Sequence, residues 1–260
     1  MTDTDPGPLA GRTALVTGGS RGVGAAIARR LGADGAAVAV NYRRDADAAE
    51  RTVAEIVGAG GTARAYRAPV DDPDAVLAML AGVADELGAV DLLVSNAGTA
   101  SRGQRVADTE DAEYLRLLRV HVLGPLTLVR ALLPQLRAAP RADVVVISST
   151  ILDGPSAGGA PYAMAKAALE AAARTLAIEE REHGVRVNIV APGLVATDMG
   201  ERLVAATAGT TIDQLDESYP FGRVARPEDV AGVVAFLASA DASYLTAQRI
   251  RVDGGGPPRR

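Results

Sequence analysis

The sequence predicts an α/β fold in which a doubly wound, mostly parallel seven-stranded sheet carries helices on both faces. Three observations predict it. From residue 12 onward, short valine-rich apolar runs alternate with longer alanine- and arginine-rich segments of helical period, the pattern of repeated βαβ units. Several of the runs are apolar at nearly every position, as strands covered on both faces are. A glycine-rich turn closes the first run and opens the first helical segment.

The elements follow in order. Strands are expected at 12–17, 36–41, 62–66, 91–95, 143–148, 186–191 and 249–252. Between them, apolar residues recurring at three- and four-residue intervals place helices near 22–33, 45–58, 73–87, 111–137, 161–183 and 227–239. Asp72-Pro73 and Arg226-Pro227 mark two helix starts, because proline is tolerated at the first helical position. The stretch 200–221 is too long for an ordinary turn and is expected to be an irregular lid over the substrate. Right-handed crossovers between such strands place a ligand crevice beyond their carboxyl ends.

A chain of 260 residues, 48% hydrophobic, buries a full core. We expect one domain over 9–256, with a disordered tail at 1–8 and another at 257–260. The net charge of −5 gives no general attraction to nucleic acid or anionic lipid, so neither is expected as a partner. With no cysteine, disulfides and thiolate sites are excluded, and two histidines make a metal site improbable. No signal peptide and no apolar run of about 18–20 residues is seen, so a soluble, cytoplasmic protein is expected.

The turn after the first strand reads Thr17-Gly18-Gly19-Ser20-Arg21-Gly22-Val23-Gly24. Its glycines let backbone N–H groups approach a pyrophosphate, and the helix N-terminus that follows favours the negative charge. Gly18, Ser20, Arg21, Gly22, Val23 and Gly24 are therefore candidate nucleotide contacts in a Rossmann-type fold. At the end of the second strand stands Asn41-Tyr42-Arg43-Arg44, where many dinucleotide folds place an acid on the adenosine ribose. Asn41 is taken as a cofactor contact. Arg43 and Arg44, with Arg21, suit a ribose 2′-phosphate and so favour NADP over NAD, unless they are ordinary solvated charges.

Tyr162 and Lys166 fall one turn apart on the helix at 161–183, so phenol and ammonium share a face. A fixed cation stabilises a phenolate and lowers the tyrosine pKa. Lys166 is the single lysine in a chain whose other strong bases are all arginine. Ser149, at the end of the fifth strand, is placed to hydrogen-bond a carbonyl oxygen.

Together these residues, with Ser95-Asn96-Ala97-Gly98 after the fourth strand and Pro192-Gly193 and Thr197 after the sixth, resemble the short-chain dehydrogenase/reductase family over about residues 9–256. The chain looks closest to its 3-oxoacyl-thioester reductase-like members. The resemblance implies that Asn96, Ala97 and Gly98 line the cofactor and that Pro192, Gly193, Val195 and Thr197 hold the nicotinamide. It implies hydride transfer from NADPH to a carbonyl carbon while Tyr162 protonates the oxygen, Ser149 steadies it, and Lys166 binds the nicotinamide ribose. A small or carrier-bound ketone is the implied substrate, and a homotetramer or homodimer through the helices at 111–137 and 161–183 the implied assembly.

Three positions depart from the family pattern. His121 stands where the family places an asparagine; it either relays protons with a pKa near neutrality or packs as a satisfied core histidine. Pro69 and Val70 replace an aspartate beside adenine, leaving backbone and apolar contacts, Val70 among them. Thr246-Ala247-Gln248 replaces Thr-Gly-Gln. Two other readings stay open: a catalytically weakened NADP(H)-binding sensor or scaffold, and an NAD-dependent sugar or alcohol dehydrogenase.

Overall fold

A computed structural model describes residues 7–256. One sheet holds all seven strands: β1 (Thr13–Val16), β2 (Ala37–Tyr42), β3 (Thr62–Arg67), β4 (Leu92–Ser95), β5 (Ala142–Ile147), β6 (Val185–Pro192) and β7 (Arg249–Val252). Their order is β3-β2-β1-β4-β5-β6-β7. Every pairing is parallel. The order reverses at β1, so the loops after β1 and β4 open the crevice of a Rossmann-type sheet.

Strand periodicity explains why the runs are apolar throughout. Successive side chains point to opposite faces, so Leu15, Leu93 and Val144 enter one core while Val16, Val94 and Val145 enter the other. The first core is closed by α3 (Pro73–Leu87), α5 (Gly124–Ala138) and α6 (Ala160–Glu180). The second is closed by α1 (Gly22–Ala33), α2 (Ala46–Gly58) and α9 (Pro227–Ala238). Asp45 and Asp72 cap α2 and α3 by accepting from the backbone N–H of Ala48 and Ala75.

The expected helix at 111–137 is divided. After α4 (Asp111–Leu118), one π-helical turn spans Arg119–Leu123 before α5. Pro125 has no N–H to give the His121 carbonyl four residues back, and the turn widens there. The joined run Asp111–Ala138 is long and apolar enough to cross a membrane by length and composition, although no unbroken apolar stretch signals it in the sequence. Leu117, Leu128, Leu132 and Leu136 spend that apolar character in the core.

The stretch expected to be irregular is helical. It contains α7 (Asp198–Ala208) and α8 (Ile212–Leu215), followed by short 3-10 turns at Asp216–Ser218 and Pro220–Gly222. Val204 and Ile212 pack with Val224 in a small separate core, whereas Leu203 and Phe221 are exposed. Of the tail expected at 1–8, Gly7 and Pro8 belong to a turn against Asp34, from which Leu9 donates to the Asp34 carbonyl. Residues 1–6 and the tail at 257–260 lie outside the described residues. Ala247, in place of the usual glycine, adopts a left-handed backbone with φ 59°.

Candidate active site

The turn after β1 is built for close backbone approach. Gly18 and Gly22 have φ of +63° and +53°. A Cβ at Gly24 would collide with the Gly18 carbonyl oxygen and lie 2.5 Å from Asn96 Nδ2. The N-terminus of α1 has no side-chain cap, so its first amides keep the free donors that an anion takes. Thr17, which the sequence reading did not single out, ties the two crevice loops together. Its hydroxyl accepts from the N–H of Asn96 and Ala97 at 2.9 and 3.0 Å. Asn96 Nδ2 in turn donates to the carbonyls of Thr17 and Gly18.

Asn41 does not face a ligand. It is buried beneath the turn, where Oδ1 accepts from Gly18 N–H at 3.2 Å and Nδ2 donates to the Ala68 carbonyl at 2.9 Å. It shapes the cradle from below. Val70 packs its side chain into the core, with its carbonyl pressed against Gly124. Arg43 and Arg44 are exposed at the end of β2. Arg67 joins them, because the β2–β3 register sets it opposite Tyr42 and its Nε donates to the Arg43 carbonyl. Arg21 reaches Asp45 only at 3.9 Å. Arg67 thus adds a guanidinium to the set of Arg21, Arg43 and Arg44 to which the sequence pointed.

On the other side of the crevice, Pro192 ends β6 and Gly193 N–H donates to the Val252 carbonyl. Val195 is buried and pairs with Ala225 in an isolated bridge. Thr197 caps α7 through its hydroxyl, and its methyl lies 3.3 Å from the Cβ position of Gly22. The glycine turn and the loop after β6 therefore face one another.

Ser149, Tyr162 and Lys166 come together at the ends of β5 and α6. The Ser149 hydroxyl accepts from the N–H of Ile151 at 3.2 Å and lies near enough to the Tyr162 phenol to favour its ionised form. Lys166, 3% exposed, donates from Nζ to the Ile147 carbonyl at 2.7 Å and lies 5.6 Å from the centre of the Tyr162 ring. Burial, opposed by the charge of Glu170, brings the lysine down to about 8. Burial also pushes Tyr162 up to about 12, against the opposing influence of Ser149. The expectation was a tyrosine held down by Lys166; desolvation of the phenolate is instead the largest influence on it.

His121 packs edge-on to Tyr162, ring centres 5.3 Å apart. Nε2 meets the backbone of Thr99, 2.9 Å from its carbonyl and 3.1 Å from its nitrogen, while buried Nδ1 has no partner. Burial first, and then the charge of Lys166, holds the imidazole down to about 3. A proton relay with a pKa near neutrality does not survive this placement. Among the described residues, no three His, Cys, Asp or Glu side chains gather as a metal site.

A family model described as enoyl-(acyl carrier protein) reductase matches residues 18–256. Versicolorin reductase stcU of Emericella nidulans is 38% identical, over 98% of this chain and 99% of that protein. Short-chain reductase protein NovJ of Streptomyces niveus is also 38% identical, over 94% and 93%. Among solved structures, the angucycline C-6 ketoreductase LanV with bound NADP superposes with a TM-score of 0.86 at 34% identity, covering 95% of this chain and 96% of that one. A 7α-hydroxysteroid dehydrogenase complexed with NADH and 7-oxo glycochenodeoxycholic acid gives 0.89 at 30% identity, covering 100% and 99%.

Proposed function

The chain belongs to the short-chain dehydrogenase/reductase family, an oxidoreductase family, and from that premise we propose that it is an NADP(H)-dependent reductase of a ketone. The observation that carries the reading is the grouping of Ser149, Tyr162 and Lys166 beside the crevice, with the Tyr162 phenol pushed up to about 12. Such a phenol stays protonated across the physiological range, as a general acid for a carbonyl oxygen must be.

NADP(H) fits the crevice because the glycine cradle leaves no room for a Cβ at position 24 and the α1 amides are uncapped. When bound, it supplies the hydride. Gly18, Ser20, Gly22, Val23 and Gly24 would hold its pyrophosphate. Asn96, Ala97, Gly98, Pro192, Gly193, Val195 and Thr197 would line the rest. Arg43, Arg44 and Arg67, with Arg21, would hold a 2′-phosphate, which supports NADP over the NADH carried by the hydroxysteroid dehydrogenase. Ser149 orients the substrate oxygen by a hydrogen bond, and Tyr162 gives that oxygen its proton as the carbon is reduced. Lys166 holds the nicotinamide ribose and keeps positive charge beside the phenol as the proton leaves.

Relatives named for versicolorin, an angucycline and a steroid favour a ketone on a fused-ring skeleton over a carrier-bound 3-oxoacyl chain. The helices α7 and α8 would form the lid of that pocket. A homodimer or homotetramer in the cytoplasm belongs to the same reading.

The test is NADPH oxidation with a panel of fused-ring ketones, simple ketones and 3-oxoacyl thioesters. Tyr162→Phe should lose about 10³-fold or more in kcat while NADPH Kd stays within about threefold, and retained turnover would remove the mechanism. Replacing Arg43 and Arg44 together by alanine should weaken NADPH at least about tenfold more than NADH. Equal weakening would refute the phosphate site.

A further inference from the structure

Glu170 lies one turn beyond Lys166 on α6 and is buried, yet its carboxylate is surrounded by donors from three elements. Ser148 Oγ just past β5 donates to Oε1 at 2.7 Å, Arg249 Nε on β7 donates to the same oxygen at 2.8 Å, and Arg174 donates to Oε2 at 3.0 Å. Arg249 has a second hold. Its NH2 group donates to the Ser149 carbonyl at 3.1 Å, and its fork grips Asp153, just past Ser149, at 2.9 and 3.1 Å.

We infer that Glu170 is the counter-charge that keeps buried Lys166 cationic, and that Arg249 is a positioning residue that moderates this charge while fixing the Ser149 backbone. The inference rests on the roles proposed above for Lys166 and Ser149. Neither Glu170 nor Arg249 touches the reacting atoms. They act through their neighbours: the acid on the lysine of its own helix, the arginine on the strand end that carries the serine.

The electrostatic sign follows from position. The groups around Lys166 are Tyr162 and Glu170 on α6 and His121 on the facing helix. Around Glu170 stand Arg174 and Arg249, and beyond Arg249 come Asp153, Arg251 and Asp253. Of these, only the Glu170 carboxylate combines burial with a place one turn from Lys166. Removing its charge strips the ammonium of a buried anion one turn away on the same helix. Removing Arg249 does the reverse, because the carboxylate is then less neutralised and acts more strongly on the lysine.

Lys166 is the only lysine in the chain, so protein labelled with 13C-lysine and made without a lysine-containing tag gives a single Cε signal that reports this residue alone. Titrated between pH 6 and 11, its midpoint should fall by about half a unit or more in Glu170→Gln and rise by a similar amount in Arg249→Gln. Unmoved midpoints, or midpoints moving in one direction in both variants, would overturn the proposal. Should Glu170→Gln not fold, Arg249→Gln on the edge strand decides alone, and no rise refutes it.

Turnover supplies the second readout. Arg249→Gln should lower kcat about tenfold at unchanged NADPH Kd, because the Ser149 loop loses its tether, and Arg249→Lys should not restore the forked grip. An unchanged kcat would refute the tether. The NMR shifts are independent of turnover. If Tyr162→Phe and Lys166→Met remain active while the midpoints still move as expected, the catalytic reading fails and the electrostatic one stands.

Discussion

At position 121 the imidazole is held on three sides: by the backbone of Thr99, by the edge of the Tyr162 ring, and by Gly98, where a Cβ would lie 2.7 Å from His121 Cε1. The Thr99 loop is itself braced, since Arg116 donates to the Ala100 carbonyl and forks onto the buried carboxylate of Glu113, which also accepts from Arg102 N–H. A ring held down to about 3 carries no proton at pH 6–9. Its contribution there is shape: it sets the Tyr162 ring and the Thr99 loop. The sign for pH follows. A histidine whose folded pKa lies well below the working range adds no ionisation to the rate profile, so the profile of His121→Asn should superimpose on that of the parent from pH 6 to 9. We expect kcat to fall by no more than about tenfold and KM for the ketone to rise as the loop loosens. Steady-state kinetics across that range measure both. A loss beyond about 100-fold with the fold intact, or a displaced limb, would make the ring a participant in proton transfer.

The strands meet below the sheet on one carboxylate. Asp143, fully buried near the start of β5, pairs with Arg12 just before β1 at 3.1 Å, with Arg141 at 3.3 Å, and with Arg186 on β6. Arg12 also reaches Asp91 at 2.9 Å, at the entry to β4. Four parallel strands are thus pinned at the end opposite the crevice. Asp143→Asn would leave Arg141 and Arg186 without a carboxylate partner and Arg12 with Asp91 alone, and should cost about 3–5 kcal/mol, read as a lower urea midpoint with unchanged slope. A loss under about 1 kcal/mol would mean that the arginines relax into solvent instead. These elements were largely legible in the sequence, because strands buried on both faces are written as unbroken apolar runs, and Asp72-Pro73 and Arg226-Pro227 punctuate two helix starts. The candidate Ser149, Tyr162 and Lys166 cluster was legible for a related reason: helical spacing and strand ends are local. What stayed hidden depends on neighbours distant in sequence. Asn41 turns inward because its amide bridges Gly18 and Ala68, and Arg67 reaches Arg43 through the β2–β3 register. Burial, which no residue spacing records, drove Tyr162 upward. Helices α7 and α8 were missed because they share a core with Val224 rather than with the sheet. The π turn left a signal that was not read, a proline four residues after His121.

At the scale of the whole molecule, the long helices that support the candidate site also carry apolar side chains on their outer surfaces. On the run from α4 to α5, Leu115 and Leu123 are 53% and 55% exposed, and on α6 Met164 and Ile178 are each 52% exposed. Isolated exposed leucines need no explanation, but large apolar groups exposed on two helices that pack against one another are what a subunit interface requires. Burying it would also constrain α6, the helix carrying Tyr162, Lys166 and Glu170, so assembly and activity should be coupled. Light scattering on the purified chain should therefore give two or four times the 26.5 kDa of one chain. Leu123→Asp combined with Ile178→Asp places charge in a desolvated contact and should shift the mass toward that of the single chain. Because neither residue contacts Ser149, Tyr162 or Lys166 directly, a fall in kcat that tracks dissociation across a dilution series would tie the geometry of α6 to assembly. An unchanged mass in the double variant would exclude this face as the interface, and full activity in a demonstrated monomer would show that α6 needs no partner to hold its residues in place.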